Sequence, residues 1–486
     1  MRMKISTLVA ATAVMTVAAT AGLYGQGPDR SGPPEPGAPP TLSLPAIQQL
    51  ELSNGLPVML VEKHTVPLVQ LNLVVRVGTA HDPSDRIGLA RMTADMMDEG
   101  AAGMDALALA DAIGFLGASI SLSAGTHTTS VGLFTPVSKL EDALPLMADV
   151  ALRPDFPSAE LDRKKTSRLT TLLQAHDEGG AIARVLFAKA LFGEEHPYGR
   201  PSLSTEASIK AMTTDGMRLF HSTYFRPNNS VMIVVGAVDA AELMPKLEEA
   251  FGSWEARSVP EARWPEANQV GGREILLVDQ PGAAQSEIFI GRIGVARATD
   301  DYYALQVMNT MLGGAFGSRL NQNLREEHGY TYGAGSSFQF SLLKGAFRAS
   351  SAVQTDATAP ALHEFFKEFE GILETLPEDE VVGAKNYMAY RYPGRFQSVR
   401  GIAGSIDDLW IYDLPIDYLN GYVDRMLAVS RDDVQRVARE QIVPDRMVIV
   451  VVGDREKIED EIRALDLGPI RNLSIEDVLG EKPELR

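Results

Sequence analysis

The 486-residue sequence contains no cysteine. That removes disulfides, thiol nucleophiles and thiolate metal sites together, so any metal would have to be held by histidine and carboxylate. Histidine is itself scarce, with eight residues at positions 64, 81, 127, 176, 196, 221, 328 and 363. No two of them stand four apart. Neither His-Glu-x-x-His nor its inversion, His-x-x-Glu-His, can therefore be written, although such spacings are what let two imidazoles share one helical face and one zinc ion. His363-Glu364 reads as a surface pair on a helix, and His196 in His196-Pro197-Tyr198-Gly199 as a structural residue in a loop between helices. No G-x-S-x-G elbow occurs, and the glycine-rich run from Leu312 to Ser318 lacks the Lys-Ser/Thr of a phosphate loop. A Ser/His/Asp triad of residues far apart in sequence is left open by such counting. Positive charge is also short. Forty-five Lys and Arg face 64 Asp and Glu, a net charge of −19, which argues against a nucleic-acid partner. Beyond the N-terminus no stretch approaches the ~18 apolar residues of a spanning helix.

The N-terminus itself reads as an export signal over residues 1–25. Arg2 and Lys4 form a basic region, an Ala/Val/Leu-rich segment follows, and Ala19-Thr20-Ala21 offers a small-residue cleavage site. The alternative is an uncleaved anchor. Cleavage would leave no stable membrane span and would place the protein in the periplasm or otherwise outside the cytoplasm. Residues 26–44, with Gly27–Pro40 reading GPDRSGPPEPGAPP, are too rich in Pro and Gly to form a core and read as a tether.

Apolar residues make up 45% of the chain and charged ones 22%, ordinary globular usage with room for large cores. One pattern is written twice. Two β-prone runs flank Asn54-Gly55, a hairpin signal. Strands are expected at 68–77, 118–123, 128–134 and 229–235, with helices at 88–99, 104–116, 140–152, 160–175, 181–191 and 240–251. The second stretch places strands at 273–279, 286–290, 331–340, 346–353 and 445–452. Its helices fall at 302–312, 319–327, 359–376, 378–390, 430–441 and 456–465. Each stretch has an apolar strand ended by glycine, VMIVVGAVD at 231–239 and VIVVVGDRE at 448–456. The period of roughly 215 residues suits a duplicated domain rather than a solenoid. The expected fold class is α+β, with two homologous domains at 45–256 and 273–470, each a mainly antiparallel sheet packed against helices on one face. A polar linker at 257–272 joins them, and a tail covers 471–486.

Several motifs resemble one family. Leu312-Gly313-Gly314, Ser318-Arg319-Leu320 and Asn323-Leu324-Arg325-Glu326-Glu327-His328-Gly329-Tyr330-Thr331-Tyr332-Gly333 look like the C-terminal domain of the pitrilysin/insulinase zinc peptidases, in their processing-peptidase-like bacterial branch. His196-Pro197-Tyr198-Gly199, Phe225-Arg226-Pro227-Asn228-Asn229 and Val278-Asp279-Gln280-Pro281-Gly282-Ala283 fit the same family. The resemblance spans about residues 45–465. It implies a two-domain α/β peptidase fold whose chains close in pairs, like a clamshell, around peptides. One departure is central. The family's zinc motif follows Gly-Leu-Ala on the first long helix, but here Gly88-Leu89-Ala90 is followed by Arg91-Met92-Thr93-Ala94-Asp95. Arg91 and Asp95 stand where the two His ligands would be, and Ala94 stands where the general-base Glu would be. The third ligand aligns near Asp162. A guanidinium at a ligand position places fixed positive charge where Zn²⁺ would sit, so no metal is expected in this chain.

Arg325 and Tyr332 fall on positions where such peptidases place an Arg and a Tyr opposite the zinc. A guanidinium and a phenol there would donate to a carbonyl oxygen that gains charge in a tetrahedral transition state. Read without the family, they would be a helix-surface Arg and a core Tyr, and Tyr330 is the neighbouring candidate. Gly313, Gly314 and Gly317 match a substrate-touching glycine-rich loop, or else serve only turn geometry. The resemblance thus implies a zinc-less subunit of an exported heterodimeric metallopeptidase. Its partner would be a homologous zinc-bearing subunit, zinc would belong to that partner, and the substrates would be peptides. The alternatives are a non-enzymatic scaffold or peptide-binding protein of the same fold and, from the histidine spacings the weakest, a self-sufficient hydrolase with a hidden site.

Overall fold

The two glycine-ended apolar runs become the central strands of two six-stranded sheets. In the computed structural model, which describes Gly37, Pro39 and residues 42–484, the first sheet runs β1-β2-β8-β3-β7-β6. It consists of β1 (Gln48–Glu51), β2 (Pro57–Glu62), β3 (Leu68–Val75), β6 (Ser119–Ala124), β7 (Thr129–Pro136) and β8 (Ser230–Gly236). The small hairpin of β4 (Gly100–Ala101) and β5 (Met104–Asp105) stands apart from it. The second sheet runs β11-β12-β10-β13-β9-β14. Its strands are β9 (Glu274–Asp279), β10 (Gln285–Ile293), β11 (Thr331–Phe338), β12 (Ala346–Gln354), β13 (Val448–Gly453) and β14 (Ile470–Leu473). The expected signal segment at 1–25 and nearly all of the tether lie outside the described residues.

The duplication is visible strand by strand. β2 pairs parallel with β8, and β9 pairs parallel with β13. From there β8-β3-β7-β6 and β13-β10-β12-β11 continue antiparallel in the same order. The halves differ at the outer edge. The first is closed by β1, which forms the Asn54-Gly55 hairpin with β2, and the second by β14, added parallel to β9. Residues 471–484, within the segment expected as a tail, thus carry most of β14 and the helix Ile475–Leu479.

Helices do not stay on one face. β8 and β13 are buried along their whole length, which an antiparallel strand with one wet face would not be. On the first sheet Leu71, Leu73, Met232 and Val234 point into the core of their own half. Val61, Val74, Val231, Ile233 and Val235, on the other face, belong to a core shared with Ile402, Ala403 and Ile406. Those last residues lie on the helix Val399–Ile411 from the second half, which packs on β8 and β3. The reciprocal packing also occurs. The helix Gly179–Phe192 of the first half lays Ile182, Val185, Leu186 and Phe187 against Leu276, Val278, Phe289, Val450 and Val452 of the second sheet. Phe187 meets Phe289 edge to face at 5.9 Å, over Gly291, where a Cβ would run into the Phe347 carbonyl. Each half thus lends a helix to the other's sheet.

Other helices also depart from the sequence reading. Glu206–Ala211, Thr214–Tyr224, Val399–Ile411 and Tyr422–Ala428 form where none was expected. Gly401 and Gly404 mask Val399–Ile411, since each costs helix propensity of about 1 kcal/mol against Ala. The 257–272 linker contains no helix or strand, yet it is fixed: Trp264 Nε1 donates to the Ala80 carbonyl, and its ring meets His81 and His127 edge to face. Glu364 corrects another expectation. It is only 9% exposed, accepts from Asn323 Nδ2 and Lys367 Nζ at 2.7 Å each, and is no surface partner of His363.

The halves are also joined by polar contacts. Asn72 Nδ2 on β3 donates to both carboxylate oxygens of Asp407, at 3.1 and 3.0 Å, from the lent helix. Burial pushes the Asp407 carboxyl up to about 7, the Asn72 amide pulls it back, and Asp408 raises it further. A folded-state value above the unfolded ~3.9 means that the native state holds its proton longer. Asp407 therefore contributes stability below pH ~3.9 that is lost as pH rises through about 7. Asp407→Asn should stabilise the protein at pH 8 by on the order of 1–4 kcal/mol, read as a higher urea midpoint, and by distinctly less at pH 5. An effect equal at both pH values would refute the titration.

Candidate functional site

The helix Leu89–Met96, which carries the zinc-motif positions, starts at Gly88 with φ +93°, where a Cβ would collide with Ser204 Oγ. Asp82 holds its first turn. One carboxylate oxygen accepts from Gly88 N at 2.7 Å and the other from Ala90 N at 2.8 Å. Burial drives the Asp82 carboxyl up to about 7 against those two amides and the nearby Arg200 and Arg91. Ala94, at the general-base position, is 1% exposed within the core. Arg91 and Asp95, four residues apart, share the partly exposed face.

Neither is the imidazole that the family motif would need. Arg91 Nη1 donates to the Ser202 carbonyl at 2.8 Å, and Asp95 is paired with Arg168 of the helix Ser158–Ala175. One turn further, Glu99 meets Lys164 at 2.5 Å and Arg163 at 2.8 Å. Burial would raise the Glu99 carboxyl, but those two hydrogen bonds hold it below the usual carboxylate range. Asp162, the nearest match to a third ligand, is exposed on the same helix, and the side chain that reaches Asp95 is Arg168. A paired carboxylate and a guanidinium, without an imidazole, do not make a zinc donor set. Among the described residues the one group of His and carboxylates close enough to share a cation is Glu62, His64 and Asp239. Glu62 there already accepts from Gln48 Nε2 and the Ala240 amide.

Arg325 and Tyr332 occupy irregular backbone in the second half. The expected helices at 302–312 and 319–327 both change winding, to π turns at Thr310–Gly314 and Gln322–Glu327, and Arg325 lies on the second. Such turns recur at functional sites because the extra residue redirects side chains. Tyr332 lies in a β-bulge: Thr331 pairs with Val353 and Ala334 with Ser351, so Tyr332 and Gly333 oppose Ala352 alone. Thr331 Oγ1 and Ser351 Oγ satisfy the loosened backbone, at 3.1 and 3.0 Å from the Gly333 carbonyl. The phenol is 91% exposed, so Tyr332 is not a core residue.

The Arg325 guanidinium lies 4.6 Å from the centre of the Phe316 ring, itself 62% exposed. Asn321 ties the three segments together, donating to the Phe316 carbonyl at 2.7 Å and accepting from Ala334 N at 3.2 Å. Among the described residues Arg325 and Tyr332 share no hydrogen bond. Tyr330 is half-buried and stacks on His328 at 4.9 Å. Of the three glycines, Gly313 has a packing reason, since a Cβ there would strike Ser336 N on β11. At Gly314 a Cβ would come within 2.7 Å of Asn309 Nδ2, and at Gly317 it would meet open space.

The sequence reading missed a cavity of about 410 Å³ beside Arg91. Its lining includes Asp82, Arg91, Arg184, Arg200 and Arg348, drawn from both halves. Arg325 and Tyr332 are not among its residues. Tyr198 closes one wall. Its hydroxyl meets His127 Nε2 at 2.6 Å and Ser341 Oγ at 2.8 Å, across the two halves. His196, buried as a structural residue should be, accepts from Tyr198 N.

Family models match most of this structure. The insulinase (peptidase family M16) model covers residues 57–200 and the peptidase M16 inactive-domain model residues 211–388. An uncharacterized zinc protease of Mycobacterium leprae is 27% identical over 62% of this chain and 68% of its own length. The non-peptidase homolog YmxG of Helicobacter pylori is 21% identical over 86% of this chain and 96% of its own. Among solved structures, a peptidase M16 inactive domain from Pseudomonas fluorescens superposes with a TM-score of 0.78. It has 26% identity and covers 84% of this chain and 97% of that one. A protease from Helicobacter pylori, at 19% identity and TM-score 0.76, shares the fold over 84% of this chain and all of that one.

Proposed function

The chain belongs to the insulinase family, peptidase family M16, and within it we propose that this protein is the zinc-less subunit of an exported, two-chain metallopeptidase. One contrast carries the reading. The residues at the zinc positions are tied up by Ser202 and Arg168, whereas Arg325 and Tyr332 stand half and almost fully exposed on backbone that re-aims them. A homologous partner would supply the zinc and the activated water. Zinc there would polarise the scissile carbonyl and lower the pKa of bound water. The residues of this chain would close the chamber, position the peptide and donate hydrogen bonds from Arg325 and Tyr332 to the developing oxyanion. Gly313, Gly314 and Gly317 would line the approach. The alternative of a non-enzymatic scaffold or peptide-binding protein draws on the likeness to the Helicobacter pylori non-peptidase homolog.

Reconstitution decides between them. The purified chain should contain no stoichiometric zinc and cleave no peptide alone, and should become active with a partner bearing His-x-x-Glu-His. Zinc content and peptide cleavage are the readouts. Stoichiometric zinc or robust cleavage by the chain alone would sink the proposal, and a tight but inactive pair would favour the scaffold.

A further inference from the structure

The cavity beside Arg91 is basic in an acidic protein. Four guanidinium groups, Arg91, Arg184, Arg200 and Arg348, line it together with one carboxylate, Asp82, in a chain with net charge −19. That carboxylate is committed to the Gly88 and Ala90 amides. Arg91 and Arg200 each have a backbone partner, the carbonyls of Ser202 and Asp82. Arg184 and Arg348 have none. Among the described residues neither makes a hydrogen bond or ion pair, and Arg348 has only the Phe289 ring, 4.8 Å from its guanidinium carbon. In register Arg348 lies between Gly291 on β10, which the Phe187 ring covers, and Ser337 on β11. Two half-buried or neighbouring cations repel each other, and burial and Arg184 both disfavour the charged form of Arg348. Glu287 is attracted to Arg184, which lowers its carboxyl against the effect of burial, but among the described residues it does not come within ion-pair distance, so both guanidinium groups keep free donors. Such a pair is unfavourable until an anion joins it.

We propose that this cavity binds the carboxylate of an acidic peptide segment, held bidentately by Arg184 and Arg348. A carboxylate fits better than a phosphate on two grounds. The helix N-terminus beside the cavity, the usual cradle for phosphate, is already filled by Asp82. The remaining walls include Ile87, Val185, Phe187 and Phe192, apolar surface suited to the hydrocarbon stem of a Glu or the flank of a peptide end. The volume lies within the range of pockets that hold small ligands. The arrangement rests on the reading of this protein as a peptide-handling subunit, and it adds a preference for acidic sequence at the place where relatives bind metal.

Fluorescence anisotropy on the full chain, without any partner, tests it. A labelled AAAAEE peptide with a free C-terminus should bind, weaken with salt, and lose at least about tenfold in affinity in Arg184→Gln/Arg348→Gln, since each charge-assisted fork is worth a factor of this order. The C-terminally amidated AAAAEE separates side-chain from terminal carboxylate: retained binding assigns the side chains and lost binding the terminus. Amidated AAAAQQ should not bind. Arg184→Gln alone, at an exposed helix position, keeps the test valid if the double variant fails to fold. Equal binding of the neutral peptide, unchanged affinity in Arg184→Gln, or no binding of AAAAEE at all would overturn the proposal. Because no cleavage is measured, failure here leaves the two-chain peptidase standing if the reconstituted pair still cleaves neutral peptides.

Discussion

Arg325→Ala and Tyr332→Phe, each made in this chain and assayed with the zinc-bearing partner, should lower kcat by about 10²–10³-fold. Losing one preorganised donor to an oxyanion costs about 2.7–4 kcal/mol of transition-state stabilisation. These side chains have the exposure such a role requires. Tyr332 projects from a bulge, and Arg325 is steadied on the Phe316 ring rather than locked in a strong ion pair. Its nearest acid, Glu326, is 3.5 Å away and half exposed, an interaction worth little in water. Neither substitution should therefore lower the melting temperature by more than a degree or two, because surface changes of this kind are usually within about 0.5 kcal/mol. The kinetic split identifies the role. Equal falls in kcat and kcat/KM mark a contact made only in the transition state, whereas a rise in KM with kcat unchanged marks uniform binding. Arg325→Lys separates charge from geometry, since an ammonium cannot form the planar fork. If kcat is unmoved in both variants, the pair has no part in the chemistry and the scaffold reading gains.

The residues that this prediction concerns were legible in the sequence because they lie close together in it. Gly313, Arg325 and Tyr332 span one short stretch, and their spacing survives whatever the rest of the chain does. The same holds for Arg91, Ala94 and Asp95, where one helical turn sets the face, and for the apolar runs of β8 and β13, whose burial on both sides shows as unbroken hydrophobicity. What could not be read arises between distant segments. The partnership of Asp95 with Arg168 needs two helices at a fixed crossing. The four arginines of the basic cavity come from four separate segments, and although Arg91 and Arg200 lie in or beside motifs, nothing in the sequence brings them to Arg184 and Arg348. Periodicity located an apolar face on the helix Gly179–Phe192, yet periodicity cannot say which of two similar sheets receives that face. The bulge at Tyr332 was hidden for another reason. Gly333 within the strand pattern was its one sign, while the hydroxyls of Thr331 and Ser351 that support it come from two different strands.

The exchange of helices leads to a second large effect, on folding. If residues 42–256 and 273–486 are produced as separate chains, neither should fold stably alone, although the boundary falls in a segment without helix or strand. The first fragment would expose Val61, Val74, Val231, Ile233 and Val235, which the helix Val399–Ile411 covers in the intact chain. The second would expose Leu276, Val278, Phe289, Val450 and Val452, which the helix Gly179–Phe192 covers. Burying one large apolar side chain contributes about 1.5–3 kcal/mol. Five of them on each sheet are therefore comparable with the ~5–15 kcal/mol that a folded domain holds in total. Even Phe187→Ala in the whole chain should cost about 3–5 kcal/mol, because it opens a hole between Phe289 and the backbone at Gly291. Calorimetry and dye binding on the fragments provide the check. Each fragment alone should bind a hydrophobic dye and show no cooperative melt, and the two produced together should pair, recover the melt and lose the dye, since the lent helices can be supplied across two chains. A sharp melt from either fragment alone, near that of the intact protein, would mean that each sheet is stabilised within its own half and that the exchange only orients the halves.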